Sequence, residues 1–258
     1  MLALTRKNKI RELVLEQKNV TVSELATYFS VTEETIRRDL KSLEESGLLI
    51  RTYGGAYIQD GVVNDIRASL RETILVPNKQ RIAKKCAEFI NNGDTITLDA
   101  STTAFHICNE IRNKRLTVLT DSLKVANYLT NYDNIHLICT GGTFSNKYSS
   151  FIGKSARQTI REYFVDKVFV SCRSVDMNHG ITDANEDIAA IRTILVERAK
   201  KVFLIADHSK FDNVSFVSIC NFDKISAVVV DEPLSSEWHQ FLEQKNIDLF
   251  ECTEDIIE

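Results

Sequence analysis

The chain has 258 residues, 43% apolar and 26% charged, with only 2 prolines, which excludes low-complexity and disordered classes and leaves room for one large domain or a small one and a medium one. No apolar run approaches the ~20 residues that cross a bilayer, and the opening MLALTRKNKIREL lacks the apolar core and cleavage site of a signal peptide, so a cytoplasmic protein with no membrane partner is expected. The net charge of −4 is unevenly spread: nine acids against one base between Asp231 and Glu258 make that end −8 and leave the preceding residues net positive.

Arg6, Lys7, Lys9 and Arg11 crowd the start, where phosphate contact is the functional reading and a solvated face the plain one. Thr5 is predicted to cap a first helix running to about Gln17, with Ile10, Leu13 and Val14 inward. Val20 and Val22 bracket an extended link. Ser23 is predicted to cap a second helix with Leu25, Ala26 and Phe29 inward, and Ser30-Val31 to make the turn. Thr32 then caps a third helix, whose Ile36, Leu40 and Leu43 repeat at i, i+4 and i+7 as a buried stripe.

Arg38 and Lys41 fall on the opposite side, with Arg37 beside them and Thr35 near the helix N-terminus. Arginine can donate two hydrogen bonds to a guanine edge, and either cation can pair with phosphate. Gly47 should end the helix. Leu48–Ile50 and Ala56–Ile58 then read as a hairpin, with Gly54-Gly55 permitting the reverse turn and Arg51 and Tyr53 near its tip. Two short helices, a turn and a hairpin make a winged helix-turn-helix over residues 3–58, a device for double-stranded DNA.

Gln59 to Val76 reads as a linker with some helical potential, and Pro77 opens a helix through Ile90. From Asp94 onward, β-branched runs alternate with amphipathic helices. Strands are predicted at Thr95–Asp99, Leu116–Thr120, Ile135–Thr140, Lys167–Cys172, Val202–Asp207 and Ala227–Asp231. Helices are predicted at Thr103–Arg112, Leu123–Thr130, Ser155–Tyr163, Glu186–Lys200 and Ser236–Gln244. This alternation predicts an α/β domain with an open, mostly parallel sheet over residues 77–258.

Ligands of such sheets bind beyond the carboxyl ends of the strands. Here those ends are polar: Asp99 with Ser101, Thr102 and Thr103; Asp121 with Ser122; Gly141-Gly142; Arg173; and Asp207 with Lys210. Hydroxyls, glycine amides and helix N-termini suit a phosphate, Lys210 and Arg173 supply positive charge, and the aspartates can accept sugar hydroxyls. Each loop alone also has a plain reading, as an N-cap, a turn or a surface pair.

The six cysteines contain no C-x-x-C, and the five histidines no H-x-x-x-H, so reduced core thiols and no metal or other cofactor are expected. Redox sensing through Cys139 or Cys172 is a minor alternative.

Two sets of residues resemble the DeoR/GlpR family of transcriptional regulators. T-x-x-T-I-R-R-D-L followed by L-I-R-x-x-G-G-A matches its DNA-binding module, with Tyr53 where the family usually has His. D-x-S-T-T at Asp99–Thr103, T-x-S at Thr120–Ser122, T-G-G at Thr140–Gly142, Gly153 and D-H-S-K-F at Asp207–Phe211 match its sensor domain. That domain resembles ribose-5-phosphate isomerase. Ser101 stands where the family usually has Gly, Asp121 where it has Asn, and Arg173 or Ser174 where it often has Gly.

The resemblance implies a repressor of carbohydrate metabolism modulated by a phosphorylated sugar or similar metabolite. Paired recognition helices on a palindromic operator require a homo-oligomer, dimer or tetramer. The alternative is a sugar-phosphate isomerase or deaminase with an appended DNA module. Its general base would be Asp121, Asp176, Asp183 or Glu186, none of them in the acid-rich loop such isomerases carry.

Overall fold

The computed structural model describes residues 2–45, 49–57 and 68–253. The chain divides after Leu75 into two compact units.

In the first unit, helix α1 (Ala3–Gln17) leads through β1 (Asn19–Thr21) into α2 (Val22–Phe29) and α3 (Glu33–Glu45). Strands β2 (Ile50–Arg51) and β3 (Gly55–Tyr57) follow, and the small sheet runs β1-β3-β2. Ile10, Val14, Leu25, Ile36, Leu40 and Leu43 fill the core. Helix α1 begins two residues before Thr5, with Leu2 in extended conformation and no side-chain cap. Helix α2 is capped by Thr21, not Ser23: Thr21 and Glu24 form a reciprocal capping box, which takes the first turn out of Ser23's reach. Gly47, Leu48 and Ile58 lie outside the described residues.

Thr52 N–H donates to the Gly55 carbonyl at 2.9 Å to close the wing turn. Neither glycine there has positive φ. Gly55 is needed for a different reason: a Cβ there would sit 2.1 Å from the Val20 carbonyl oxygen of the neighbouring strand. Of the predicted linker, residues 59–67 lie outside the description. Helix α4 (Ala68–Arg71) follows, and Ile74 and Leu75 pack into the first unit's core.

The second unit opens with α5 (Val76–Glu88). It continues β4 (Thr95–Leu98), α6 (Thr102–Ile111), β5 (Leu116–Thr120), α7 (Leu123–Leu129), β6 (Ile135–Cys139), β7 (Thr143–Ser145), β8 (Ser150–Ile152) and α8 (Gly153–Arg161). Then come β9 (Val165–Val170), β10 (Ser174–Asp176), β11 (Gly180–Asp183), α9 (Glu186–Glu197), β12 (Ala199–Ile205), β13 (Val217–Cys220), β14 (Ala227–Val230), α10 (Ser236–Gln244) and β15 (Asp248–Glu251).

The main sheet has seven strands in the order β15-β14-β12-β9-β4-β5-β6, and every pairing is parallel. Apolar side chains alternate to two faces, giving one core around Val168, Leu204 and Val228 and another around Leu98, Phe169 and Val229. The chain winds outward from β4 through β5 and β6, then returns to β9 and winds the other way. The switch point therefore lies between β4 and β9. Hairpin β7–β8 and a three-stranded sheet, β10-β11-β13, accompany the main sheet. Among the described residues, no helix is long and apolar enough to cross a membrane.

Candidate functional site

Helix α3 carries the DNA-binding candidates of the first unit. Thr35 N–H donates to Thr32 Oγ1 at 3.3 Å, so Thr32 caps the helix. The two hydroxyls bond each other at 2.9 Å. Ile36, Leu40 and Leu43 are at most 1% exposed, while Arg37, Arg38 and Lys41 point to solvent. Arg37 pairs with Glu33 at 2.6 Å and Arg51 with Glu44 at 2.7 Å. Both pairs are exposed, worth roughly 0.2–1 kcal/mol, and cheap to exchange for a phosphate. Arg38 and Lys41 have no ion pair among the described residues. Tyr53 stands fully exposed at the wing turn.

The basic start of the chain is built into the fold. Arg6 Nε donates to Asp39 Oδ2 at 2.6 Å, and both side chains are buried. Lys7 bonds Ser42 at 2.9 Å, Lys9 pairs with Glu12 at 2.9 Å, and Arg11 bonds Asn8 and Thr73 at 3.0 Å each. Asp39, the acid of T-I-R-R-D-L, is thus the anchor of α3 on α1.

In the second unit the polar loops gather at the carboxyl ends of the strands. Ser101 caps α6, accepting from Ala104 N–H at 2.9 Å, and Ser122 caps α7, accepting from Val125 N–H at 3.3 Å. Among the described residues neither hydroxyl donates to a protein acceptor. Thr102 and Thr103 form the first turn of α6, and Gly153 opens α8 at φ +89°. Gly141 and Gly142 take φ +62° and +108°. A Cβ on Gly142 would lie 2.8 Å from the Ile152 carbonyl oxygen, so only glycine lets this loop meet β8 and α8.

Asp99 stands at the switch point, but its carboxylate is occupied. Oδ1 accepts from Ser101 N–H at 3.1 Å. Oδ2 accepts from Ser171 N–H at 3.0 Å and from Arg192 Nε at 2.9 Å, tying the end of β4 to the end of β9. Arg192 also pairs with Asp183. Asp99 is therefore a scaffold residue first, and the hydroxyl-accepting role predicted from the sequence falls to what acceptor capacity its Oδ1 has left.

Asp121 is different. Oδ2 accepts from Ser150 Oγ at 2.6 Å, and the hairpin is further held by Phe151 N–H donating to the Asp121 carbonyl at 2.7 Å. Burial and the neighbouring Asp99 charge push the Asp121 carboxyl up to about 6.

Asp207 is buried at the end of β12. Burial raises its pKa, but Lys210, Lys79, the Ser209 hydroxyl and His208 together outweigh that and hold it below the usual carboxylate range. Lys210 Nζ lies 4.0 Å from its carboxylate, and Lys79, on the first turn of α5, is only 4% exposed. Burial lowers the pKa of Arg173, with Asp183 opposing the shift. Beside this group, Asp231 accepts from His208 N–H at 2.6 Å, His208 Nδ1 at 2.9 Å and Asn78 Nδ2 at 2.6 Å. The Asp231 bond lifts His208 to about 9. His208, Asp231 and Glu232 lie close enough to hold a metal ion, yet their bonding is that of an imidazolium on a carboxylate. Asp231, fully buried, and Glu251, which bonds His239 at 2.8 Å, remove two acids from the predicted solvated acidic face.

The DeoR-like helix-turn-helix domain model matches residues 6–61, and the DeoR C terminal sensor domain model matches residues 76–232. The chain belongs to the DeoR family. The uncharacterized HTH-type transcriptional regulator YulB of Bacillus subtilis is 39% identical over 247 residues, 96% of each chain. The glycerol-3-phosphate regulon repressor of Escherichia coli is 31% identical over 252 residues, 96% of this chain and 98% of its own. The L-fucose operon activator of Haemophilus influenzae is 31% identical over 244 residues, 94% and 97%. Ribose 5-phosphate isomerase A of Methanocaldococcus jannaschii aligns over 53% of this chain and 55% of its own, with a TM-score of 0.40 and 17% identity.

This DeoR-family protein is a DNA-binding transcription regulator and not an enzyme, which removes the isomerase alternative. Two of the four candidate bases are engaged within the fold. Asp183 is paired with Arg192, and Asp176 accepts from the backbone of Asn178 and His179 at 2.9 and 2.8 Å. Burial pushes the Cys172 thiol up to about 12, far from a reactive thiolate. Lys79, Ser150 and Arg192 join the sensor site only through the fold. The sequence signal for Lys79 was a cation one turn into the helix that Pro77 opens.

Proposed function

We propose that this regulator is a repressor of a carbohydrate-metabolism operon, acting in the cytoplasm as a homo-oligomer and released from a palindromic operator by a phosphorylated sugar. Thr32, Thr35, Arg37, Arg38 and Lys41 face the major groove, while Arg51 and Tyr53 meet the backbone. The effector sits beyond the ends of β4, β5, β6, β9 and β12. Its phosphate meets the Gly141-Gly142 loop, Gly153, the first turn of α6, Lys79, Lys210 and Arg173. Ser101, Ser122 and Asp121 meet its hydroxyls, while Asp99 and Asp207 hold the frame. No cofactor enters this scheme.

The observation that carries the effector reading is the pair of lysines around Asp207. A buried ammonium is costly, yet Lys79 is 4% exposed and acts with Lys210 on one carboxylate at the end of β12. The relatives' names add a phosphorylated polyol and a sugar as the compounds whose operons are controlled.

The test is fluorescence polarisation on a duplex from the gene's own promoter neighbourhood. Affinity should fall by about 10³–10⁵ between 50 and 200 mM salt if some six to ten phosphates are contacted. A hexose, pentose or triose phosphate should then weaken binding. Affinity unmoved by the whole panel refutes the effector class, and tightened binding refutes repression relieved by effector.

A further inference from the structure

Asp99 and Asp121 follow paired strands β4 and β5, which align Leu98 with Thr120, and are 1% and 2% exposed. They differ in what they bond. Asp99 engages both oxygens within the protein. Asp121 engages only Oδ2, with Ser150. Its Oδ1 is buried without a hydrogen-bond partner among the described residues, and so is Thr97 Oγ1, two residues before Asp99 on β4.

An unmatched carboxylate oxygen shut away from water costs more than a hydrogen bond returns. Such an atom makes sense where a ligand brings the donor. A phosphate cannot be that ligand group: it is itself an acceptor and an anion. A hydroxyl can, because it donates without adding charge.

Resting on the effector reading above, we propose that Asp121 is the specificity-determining acceptor of the sensor: its Oδ1 receives a hydroxyl of the bound sugar, on a carbon away from the phosphate. Asp99, the more conspicuous acid of the D-x-S-T-T loop, already accepts three hydrogen bonds within the protein, against one on the Asp121 carboxylate. The charged groups acting on Asp121 are Asp99, at the end of β4, and Arg192, on α9. Burial first, and the Asp99 charge second, push the carboxyl up to about 6 against the Ser150 bond and Arg192, and it still ionises at neutral pH.

The test uses the full chain and the near-isosteric Asp121→Asn, with Asp121→Ser as a second variant should asparagine disturb the Ser150 contact. Without ligand, Asp121→Asn should raise the sensor Tm at pH 7.5 on the order of 5 °C, with the gain vanishing toward pH 4, where the native carboxyl is neutral. Absence of that gain overturns the proposal. With ligand, glucose 6-phosphate, ribose 5-phosphate and glycerol 3-phosphate are compared with 2-deoxyglucose 6-phosphate, 2-deoxyribose 5-phosphate and inorganic phosphate. Wild type should prefer one hydroxylated probe over its deoxy partner by about tenfold to a hundredfold, and both variants should flatten that preference. Wild-type binding with selectivity unchanged in the variants overturns this inference alone. No response of wild type to any sugar phosphate overturns the effector reading, and this inference falls with it.

Discussion

Replacing Arg6 by alanine separates a basic residue that builds the DNA-binding unit from one that touches DNA. Arg6 and Asp39 form a 2.6 Å pair with side chains 9% and 5% exposed, joining α1 to the middle of α3. Removing the arginine strands a buried carboxylate, which costs about 3–5 kcal/mol. In a unit of this size each kcal/mol moves Tm by about 4–8 °C, so a drop of at least ~12 °C is expected. Replacing both partners with apolar residues, Arg6→Met with Asp39→Leu, should recover most of it, because an apolar pair of similar volume needs no counter-charge. Circular dichroism melts of the single and double variants complete the cycle. Operator binding at several salt concentrations supplies the contrast. Arg38→Ala should leave the melt alone and reduce the salt slope by about 1. Arg6→Ala should reduce the folded fraction and leave the slope of what remains unchanged. A Tm for Arg6→Ala within ~4 °C of wild type, the reach of a weak surface pair, would refute the assignment of Arg6 to the frame.

Gly142→Ala should destabilise the sensor unit by about 1–3 kcal/mol, since its φ of +108° is strained for alanine and the new Cβ would lie 2.8 Å from a carbonyl oxygen. Gly141→Asn should cost less, because φ +62° is within asparagine's range and nothing lies within 4 Å; paired urea titrations check the order. His208 is lifted to about 9 by Asp231. A raised cationic pKa contributes stability that is complete below pH 6.5 and lost as pH climbs through 9, reduced by solvent screening of the part-exposed imidazole. His208→Gln should remove that slope from a Tm-against-pH plot, and an unchanged slope would discount the pair. Lys79→Met should abolish the effector response. The single tryptophan reports it: Trp238 donates to Asp212 at 2.8 Å and packs edge-on against Phe211, beside Lys210. A normal effector-induced fluorescence change in Lys79→Met would take Lys79 out of the site.

The strands of the main sheet were legible wherever burial on both faces demanded a continuous apolar run, as in Ala227–Val230 or the Val168–Val170 half of β9. The edge strand Asp248–Glu251 escaped because it is only half-buried and carries acids at both ends. The short strands around Gly180 escaped because a three- or four-residue strand has too little period to see. The Thr21 cap was written in the sequence, as T-x-x-E ending at Glu24; Ser23 simply looked equally good in isolation. The site was legible as a set of loops and illegible as a set of bonds. Arg192 lies 93 residues from Asp99, and nothing in the local pattern of an apolar helix says that its one arginine turns inward to two acids. Lys79 reads as surface because lysine on a helix usually is.

In both units an acid that looks functional in its motif is bonded to a buried arginine. Asp39 holds Arg6, and Asp99 shares Arg192 with Asp183. Buried ion pairs add little net stability, since desolvation consumes the attraction, but each is directional and costly to misplace. Their physical effect is to fix where a neighbour points. With Asp39 locked inward, Arg38 is held outward on α3. With Asp99 locked across the β4–β9 switch point, the end of β4 is fixed beside Asp121 and its unmatched oxygen. Recognition then belongs to the residue next to the anchor. On this argument a substitution at an anchor lowers stability and function together, while one at its neighbour changes function and leaves stability equal or improved. Arg38→Ala and Asp121→Asn test that separation at two independent places.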